Sequence, residues 1–164
     1  MALPSKVLPG FSASLYIQPT STPTALTVTQ LSTLASVSAI AISANLLNVE
    51  AVPAFGQDDA VASFGVAGSR QSDKIPTQSA PTSMTITAPW NPSDANLLLI
   101  RGDAYNGTID RTFVVAATDG TNVVYYAFNG RVSEFKVDSA PGAEAKATFT
   151  VHPRGNQYGW SNNA

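Results

Sequence analysis

The stretch that decides the fold is residues 111–138, RTFVVAATDGTNVVYYAFNGRVSEFKVD. Thr112 to Ala117 and Asn122 to Phe128 are runs of Val, Phe and Tyr, whose branched or flat side chains suit a pleated, half-buried surface. Between them stands Thr118-Asp119-Gly120-Thr121, and Asp-Gly between two such runs predicts a β-hairpin, because Gly accepts the positive φ of a tight turn. Asn129-Gly130 then reads either as a second tight turn or as a Gly bulge inside one long strand from about Asn122 to Val137; periodicity leaves both open.

Outward from this hairpin the same period of two recurs. Phe11, Ala13, Leu15 and Ile17 alternate with Ser12, Ser14, Tyr16 and Gln18, Met84, Ile86 and Ala88 with Thr85 and Thr87, and Ala145, Ala147, Phe149 and Val151 with Lys146, Thr148 and Thr150. Ile40, Ile42, Ala44 and Leu46 extend the pattern to a strand from Ser38 to about Val49, whereas Ala25 to Ser36 fits a short strand or one or two helical turns. One helix interrupts the β pattern. Asn91, Pro92 and Asp94 supply a cap, a donorless first position and a carboxylate in the first turn, Leu97, Ile100 and Ala104 share a face, and Gly107 ends it, so a helix is expected over about 92–105. Gly56 to Ala80 is expected to be a long irregular loop, with Ala60 to Val66 as a strand inside it, and 153–164 a polar tail. The expectation is mainly β: a β-sandwich or partly closed barrel of six to eight strands with one helix packed on it, in a single domain of residues 1–164.

Composition narrows the function. Of 164 residues 12% are charged, about half of the roughly 25% usual in soluble domains, and 17 Ser with 16 Thr fill the gap. With no Cys there is no disulfide framework and no thiolate chemistry. A net charge of -2 and singly scattered basic residues offer no patch for nucleic acid. No apolar run follows Lys6 as a secretory signal would need, and Leu34 to Val52 is broken by polar residues, so neither export nor a membrane span is expected.

Motifs for chemistry are sparse. His152 is the lone His, at the end of an expected strand, and reads as a half-exposed strand residue rather than a ligand or base. Asp58 and Asp59 are adjacent, so on an extended chain they point to opposite faces and cannot form an acid–base pair by themselves. Residues 65–70, GVAGSR, lack the spacing and Lys of a phosphate loop. Asn106-Gly107-Thr108 and Arg101-Gly102-Asp103 match glycosylation and integrin motifs by chance, and Tyr125, Tyr126 and Phe128 read as packing or subunit contact. No enzyme, no catalytic, cofactor or metal residue and no cofactor is therefore expected.

The order of features resembles the major tail tube proteins of long-tailed, siphophage-type bacteriophages. It rests on a polar arm, residues 1–10, the strand Phe11 to Ile17, a strand ending near Asn48-Val49-Glu50, the long loop 56–80, the strand Ser83 to Ala88, the helix start at 91–97, NPSDANL, and the hairpin Thr112 to Phe128. Residues 128–132, FNGRV, resemble the family's Phe-x-Gly-x-Val segment, and ATFTVHPRG closes the pattern at 147–155. The resemblance implies a virion protein, assembled in the host cytoplasm, that self-assembles into stacked hexameric rings. They form a hollow tube that carries double-stranded DNA without binding it specifically, alongside tape measure and tail terminator or tip proteins and with no membrane partner. It also implies that Gly130 is a bulge and that the loop reaches a neighbouring subunit or ring, which makes Asp58, Asp59, Phe64, Arg70 and Lys74 candidate assembly residues. Asp103, Asp110, Asp119 and Glu134 are candidates for an acidic lumen lining. The alternative is a monomeric carbohydrate- or cell-surface-binding sandwich with Trp90, Trp160 or the Tyr pair as its platform.

Overall fold

The computed structural model describes residues 12–19, 25–65, 68 and 72–161; the N-terminal arm and Arg70 lie outside them. The elements are β1 (Ser12–Ile17), α1 (Val28–Leu31), α2 (Leu34–Ser38), a 3-10 turn (Ser43–Asn45), β2 (Leu46–Leu47), β3 (Gln57–Gly65), β4 (Ser72–Pro81), β5 (Met84–Pro89), α3 (Ala95–Asn106), β6 (Arg111–Thr118), β7 (Val123–Asp138) and β8 (Lys146–Ser161). Six strands form one antiparallel sheet in the order β2-β1-β6-β7-β8-β5, and β3 and β4 form a separate two-stranded ribbon.

The β6–β7 hairpin turns where the sequence places it. Asp119 Oδ1 accepts from the backbone amides of Thr121 at 2.8 Å and Asn122 at 2.6 Å, and Gly120 takes φ +95°. β7 then continues as one strand through Asn129 and Gly130, which pair with Thr112 and Arg111 on β6. Gly130 is thus neither a turn nor the bulge. Its pairing is regular, and what demands glycine is space: a Cβ there would sit 3.0 Å from Val151 Cγ1 and 3.2 Å from the His152 carbonyl oxygen. The bulge in β7 lies at Glu134, where the register against β8 shifts between Ser133 and Lys136 and φ is +57°. One extra residue lets Phe135 return to the core side, stacked with Phe149 at 6.1 Å, and keeps the Glu134 carboxylate out of the apolar interior. A second irregularity falls opposite Ala127 to Asn129, where β8 carries the extra residues and Gly155 takes φ +74°.

Leu47 pairs with Leu15 on the outer edge of β1, while the Glu50 amide donates to the Thr87 carbonyl of β5 at 2.9 Å. Three residues of chain reach at most about 11 Å, so residues 47–50 strap the two edges of the sheet together and curl it into a half-barrel. Inside the curl Leu15, Ile17, Met84, Ile86, Phe113, Phe128, Phe149 and Val151 surround Leu97 and Ile100 of α3. Asp94 caps that helix, accepting from the amides of Asn96 at 3.0 Å and Leu97 at 3.3 Å, so α3 starts three residues after the expected 92. Gly107 closes it in the left-handed conformation at φ +66°.

The outer face of β1, β6 and the first half of β7 is covered by α1 and α2, whose Leu31 and Val37, with Ile40 just after α2, pack on Val114 and Ala127. A capping box starts α1: Thr27 Oγ1 accepts from the Gln30 amide at 3.3 Å and Gln30 Oε1 accepts from the Thr27 amide at 3.0 Å. The strand expected over 38–49 shrinks to Leu46–Leu47. Buried Asn45 donates from Nδ2 to the Ile40 carbonyl at 2.9 Å, which folds residues 40–45 into a turn, and Ile42 is exposed rather than sharing a face with Ile40. The expected polar tail from 153 is instead the second half of β8 as far as Ser161: Tyr158 and Trp160 join the α1–α2 cluster, and Trp160 Nε1 donates to the Leu31 carbonyl at 3.1 Å. The loop expected over 56–80 is the β3–β4 ribbon.

One ion pair holds α3 to the sheet. Arg111, at the start of β6, donates from Nε and from a terminal nitrogen (2.9 Å) to the two carboxylate oxygens of Asp103, and also to the Gln18 carbonyl just beyond β1. Arg111 is 1% exposed and Asp103 4%. Removing one partner leaves a buried charge uncompensated, so Asp103→Ala is expected to destabilise the fold by about 3–5 kcal/mol in chemical denaturation, whereas the paired change Asp103→Leu with Arg111→Met recovers a large part of that loss. Gly130→Ala is expected to cost about 1–3 kcal/mol by overpacking against Val151 and an immovable carbonyl.

Candidate assembly surface

The β3–β4 ribbon is where the sequence-based assembly residues gather. Asp58, Asp59, Phe64 and Lys74 all lie on it and all are exposed; Arg70 falls outside the described residues. At its base the Thr82 hydroxyl donates to Asp58 Oδ2 at 3.0 Å, and Gln157 Nε2 donates to the Gly56 carbonyl at 3.1 Å, tying the ribbon to β8. Thr77 is the extra residue of a bulge opposite Ala60 and Val61, and its hydroxyl donates to the Ala60 carbonyl at 3.0 Å. Beyond the bulge no described residue covers the ribbon. Val61 and Phe64 are 55% exposed and Ile75 51%. Ala62 sits opposite Ile75 and Phe64 lies two residues along, so this cross-strand neighbourhood is apolar although it faces water.

The expected lumen residues do not share one surface. Asp103 is committed to Arg111 inside the fold, which removes it from any exposed lining and leaves Arg101-Gly102-Asp103 without the carboxylate that an integrin ligand presents. Leu97, Ile100 and Asp103 are the three buried residues of α3, so the carboxylate on the apolar stripe was the signal that it had a buried cation to meet. Asp119 serves the β6–β7 turn. Asp110 accepts from Arg131 Nε at 2.6 Å and from Arg154 at 3.3 Å. Glu134 accepts from the Thr150 hydroxyl at 3.5 Å.

His152 is held on β8 between two hydroxyls, Ser83 Oγ at 2.9 Å from Nδ1 and Ser133 Oγ at 2.7 Å from Nε2. Either tautomer, or the charged ring, satisfies both contacts, because a hydroxyl donates or accepts as required. No group of three His, Asp or Glu able to hold a metal occurs among the described residues, and no described helix is long and apolar enough to cross a membrane. The aromatic platform proposed for sugars is also divided. Trp90 packs with the inner core through Phe135 at 5.8 Å, while Trp160 and Tyr125 belong to the cluster on the opposite face of the sheet. Near Trp90 the chain exposes an aromatic cup formed with Phe135, Val137, Tyr105 and Arg101, whose guanidinium stands 5.7 Å from the Tyr105 ring.

No family model and no curated protein matches the sequence. Solved structures do match the fold. A chain of the sheath–tube complex of an extracellular contractile injection system, PVC, in the extended state is similar at TM-score 0.62 and 11% identity, over 96% of this chain and 93% of that one. A chain of the anti-feeding prophage (AFP) baseplate, 6-fold symmetrised, is similar at TM-score 0.60 and 9% identity over 100% of both chains. A chain of the SPP1 tail tube is similar at TM-score 0.55 and 11% identity, over 93% of this chain and 77% of that one.

The Asp119 turn carries a pH dependence. Hydrogen bonds from the Asn122 and Thr121 amides hold its carboxyl below the usual 3.8. A depressed folded value means that the support is complete above the unfolded pKa and is lost as pH falls through the folded one. Amide-exchange protection at Thr121 and Asn122 is therefore expected to hold at neutral pH and fall below about pH 4, and Asp119→Asn should abolish that fall, since a carboxamide oxygen accepts the same bonds without titrating. Across the half-barrel, the long helix α3 inside it and the two-stranded ribbon, the chain has the tail-tube fold.

Proposed function

We propose that this chain is a tail tube subunit: a structural, non-catalytic virion protein that self-assembles into stacked hexameric rings enclosing a channel for double-stranded DNA. The carrying observation is the β3–β4 ribbon, nine and ten residues long, which projects from the half-barrel with Val61, Phe64 and Ile75 more than half exposed. An isolated two-stranded ribbon is marginal in water, and nothing among the described residues buries its apolar side chains, which a neighbouring molecule would do. A second copy of the chain is the partner the reading selects, since among the described residues no strand pairs with the outer edge of β5, where only the Thr87 carbonyl is engaged by the Glu50 amide, or with most of the outer edge of β1.

The low charge content supports the same reading, because the cores of subunit interfaces are depleted in charge. So does the fold shared with a tail tube chain and with a chain of a 6-fold symmetrised baseplate. The tape measure and terminator or tip proteins, passage of DNA and assembly in the host cytoplasm belong to this reading as its further partners and setting. Electron microscopy of the purified chain is expected to show rings and tubes. Phe64→Asp with Ile75→Asp is expected to leave the circular dichroism spectrum and denaturation midpoint of the half-barrel unchanged while abolishing tubes. A wild-type chain that stays monomeric at every concentration overturns the proposal.

A further inference from the structure

One half of the sheet's outer face is not covered by α1 and α2. It is the part made by β5, β8 and the second half of β7, and it carries no large apolar side chain. Thr85 and Thr87 on β5 sit opposite Thr150 and Thr148 on β8, and Thr85 Oγ1 lies 3.4 Å from Thr150 Oγ1. Ser133 and Ser83 flank His152 on the same face. The result is a continuous field of hydroxyls in register across three strands.

Its charges are balanced locally. Arg131 and Arg154 both reach Asp110, and Lys146 Nζ stands 2.5 Å from Glu50 Oε1, a contact that raises the lysine's pKa. The fourth cation, Lys136, has Glu134 before it and Asp138 after it along β7. Four cations stand among four carboxylates, so although Lys136 makes no ion pair among the described residues the face has no net positive charge with which to hold a passing polyanion. The inner face is different: beside α3 it exposes Tyr105 at 75%, Val137, and Arg101, which is in no ion pair among the described residues.

Resting on the tube reading above, we infer that the hydroxyl face of β5, β8 and β7 lines the lumen. Subunit contacts need apolar and aromatic anchors, which this face lacks and which the ribbon and the aromatic cup supply. A face that stays wet in the assembly is either exterior or lumen, and only the lumen requires charge matching against a sliding duplex. The outer edge of β5, which among the described residues pairs with no strand and is engaged only at the Thr87 carbonyl, lets the face continue from one copy to the next around a ring. The acidic lining expected from sequence thus becomes a neutral, hydroxyl-rich one that keeps Asp110 and Glu134 as neutralising partners rather than as a repelling wall.

The chain has no native Cys, so a single introduced thiol reports its own surroundings. Thr85→Cys and Thr148→Cys tubes are treated with a small maleimide and with a maleimide coupled to a globular carrier protein too wide to enter the lumen. The expected result is that assembly leaves the small reagent's rate within a few-fold of that in unassembled subunits and slows the bulky one by at least an order of magnitude. Equal, rapid labelling by both reagents in tubes puts the face outside and overturns the inference while leaving the tube reading intact. Protection from both reagents, or loss of assembly in both variants while the wild type assembles, makes it a subunit contact and overturns the inference equally. Failure of the wild type to form tubes instead sinks the tube reading, and this inference with it.

Discussion

The Arg111–Asp103 pair is the constraint on which the arrangement of layers depends. It joins the first residue of β6 to the buried stripe of α3, and the same guanidinium reaches the Gln18 carbonyl at the end of β1. A helix held only by Leu97 and Ile100 could slide along the curled sheet, because apolar contact is not directional. Two hydrogen bonds to one carboxylate fix its position and rotation. With α3 fixed, Asn96 donates from Nδ2 to the carbonyls of Ala44 and Leu46, which places β2 and starts the strap that joins the sheet edges.

That curl separates three kinds of surface. The inner face is filled by α3 and the aromatic core. The outer face divides along β7 into a half closed by α1 and α2 and a half paved with hydroxyls. The ribbon leaves the body between the strap and β5, so its apolar residues are carried away from both faces. The proposed function rests on this division: burial inside the chain, burial between copies and hydration of the lumen face would fall in different places. The 12% charge content is consistent with it, since four of the seven Lys and Arg among the described residues are held in ion pairs within the chain.

The parts legible in the sequence were those with strong local chemistry. The Asp119-Gly120 turn, the Leu97/Ile100/Ala104 stripe and the Gly107 terminator each state their geometry within a few residues. Of the β3–β4 ribbon only β3 was legible in part, as the strand expected over Ala60 to Val66; β4 was hidden because neither face of the ribbon is buried among the described residues, so the alternation that burial imposes is missing. Residues 38–47 misled for the opposite reason, since Ile40, Ile42, Ala44 and Leu46 alternate while the Asn45 side chain closes a turn that hydropathy does not record. Residues 153–161 looked polar, yet Tyr158 and Trp160 at a spacing of two were the strand signal. In the candidate site, Asp58, Asp59, Phe64 and Lys74 proved to share one element, whereas Asp103 required knowing that Arg111 would lie across from it.

The strand order has a consequence for synthesis. β1 pairs with β6, and β5 pairs with β8, the last of the described strands. Neither edge of the sheet can be laid down until the C-terminal third exists, and these long-range pairings make a topology that folds late and cooperatively. A nascent chain carrying the ribbon but lacking β8 has no β5 edge anchored for a neighbour to join. On the tube reading, readiness to polymerise is thereby tied to the formation of β8, and products that lack this strand are poor competitors for places in a growing assembly.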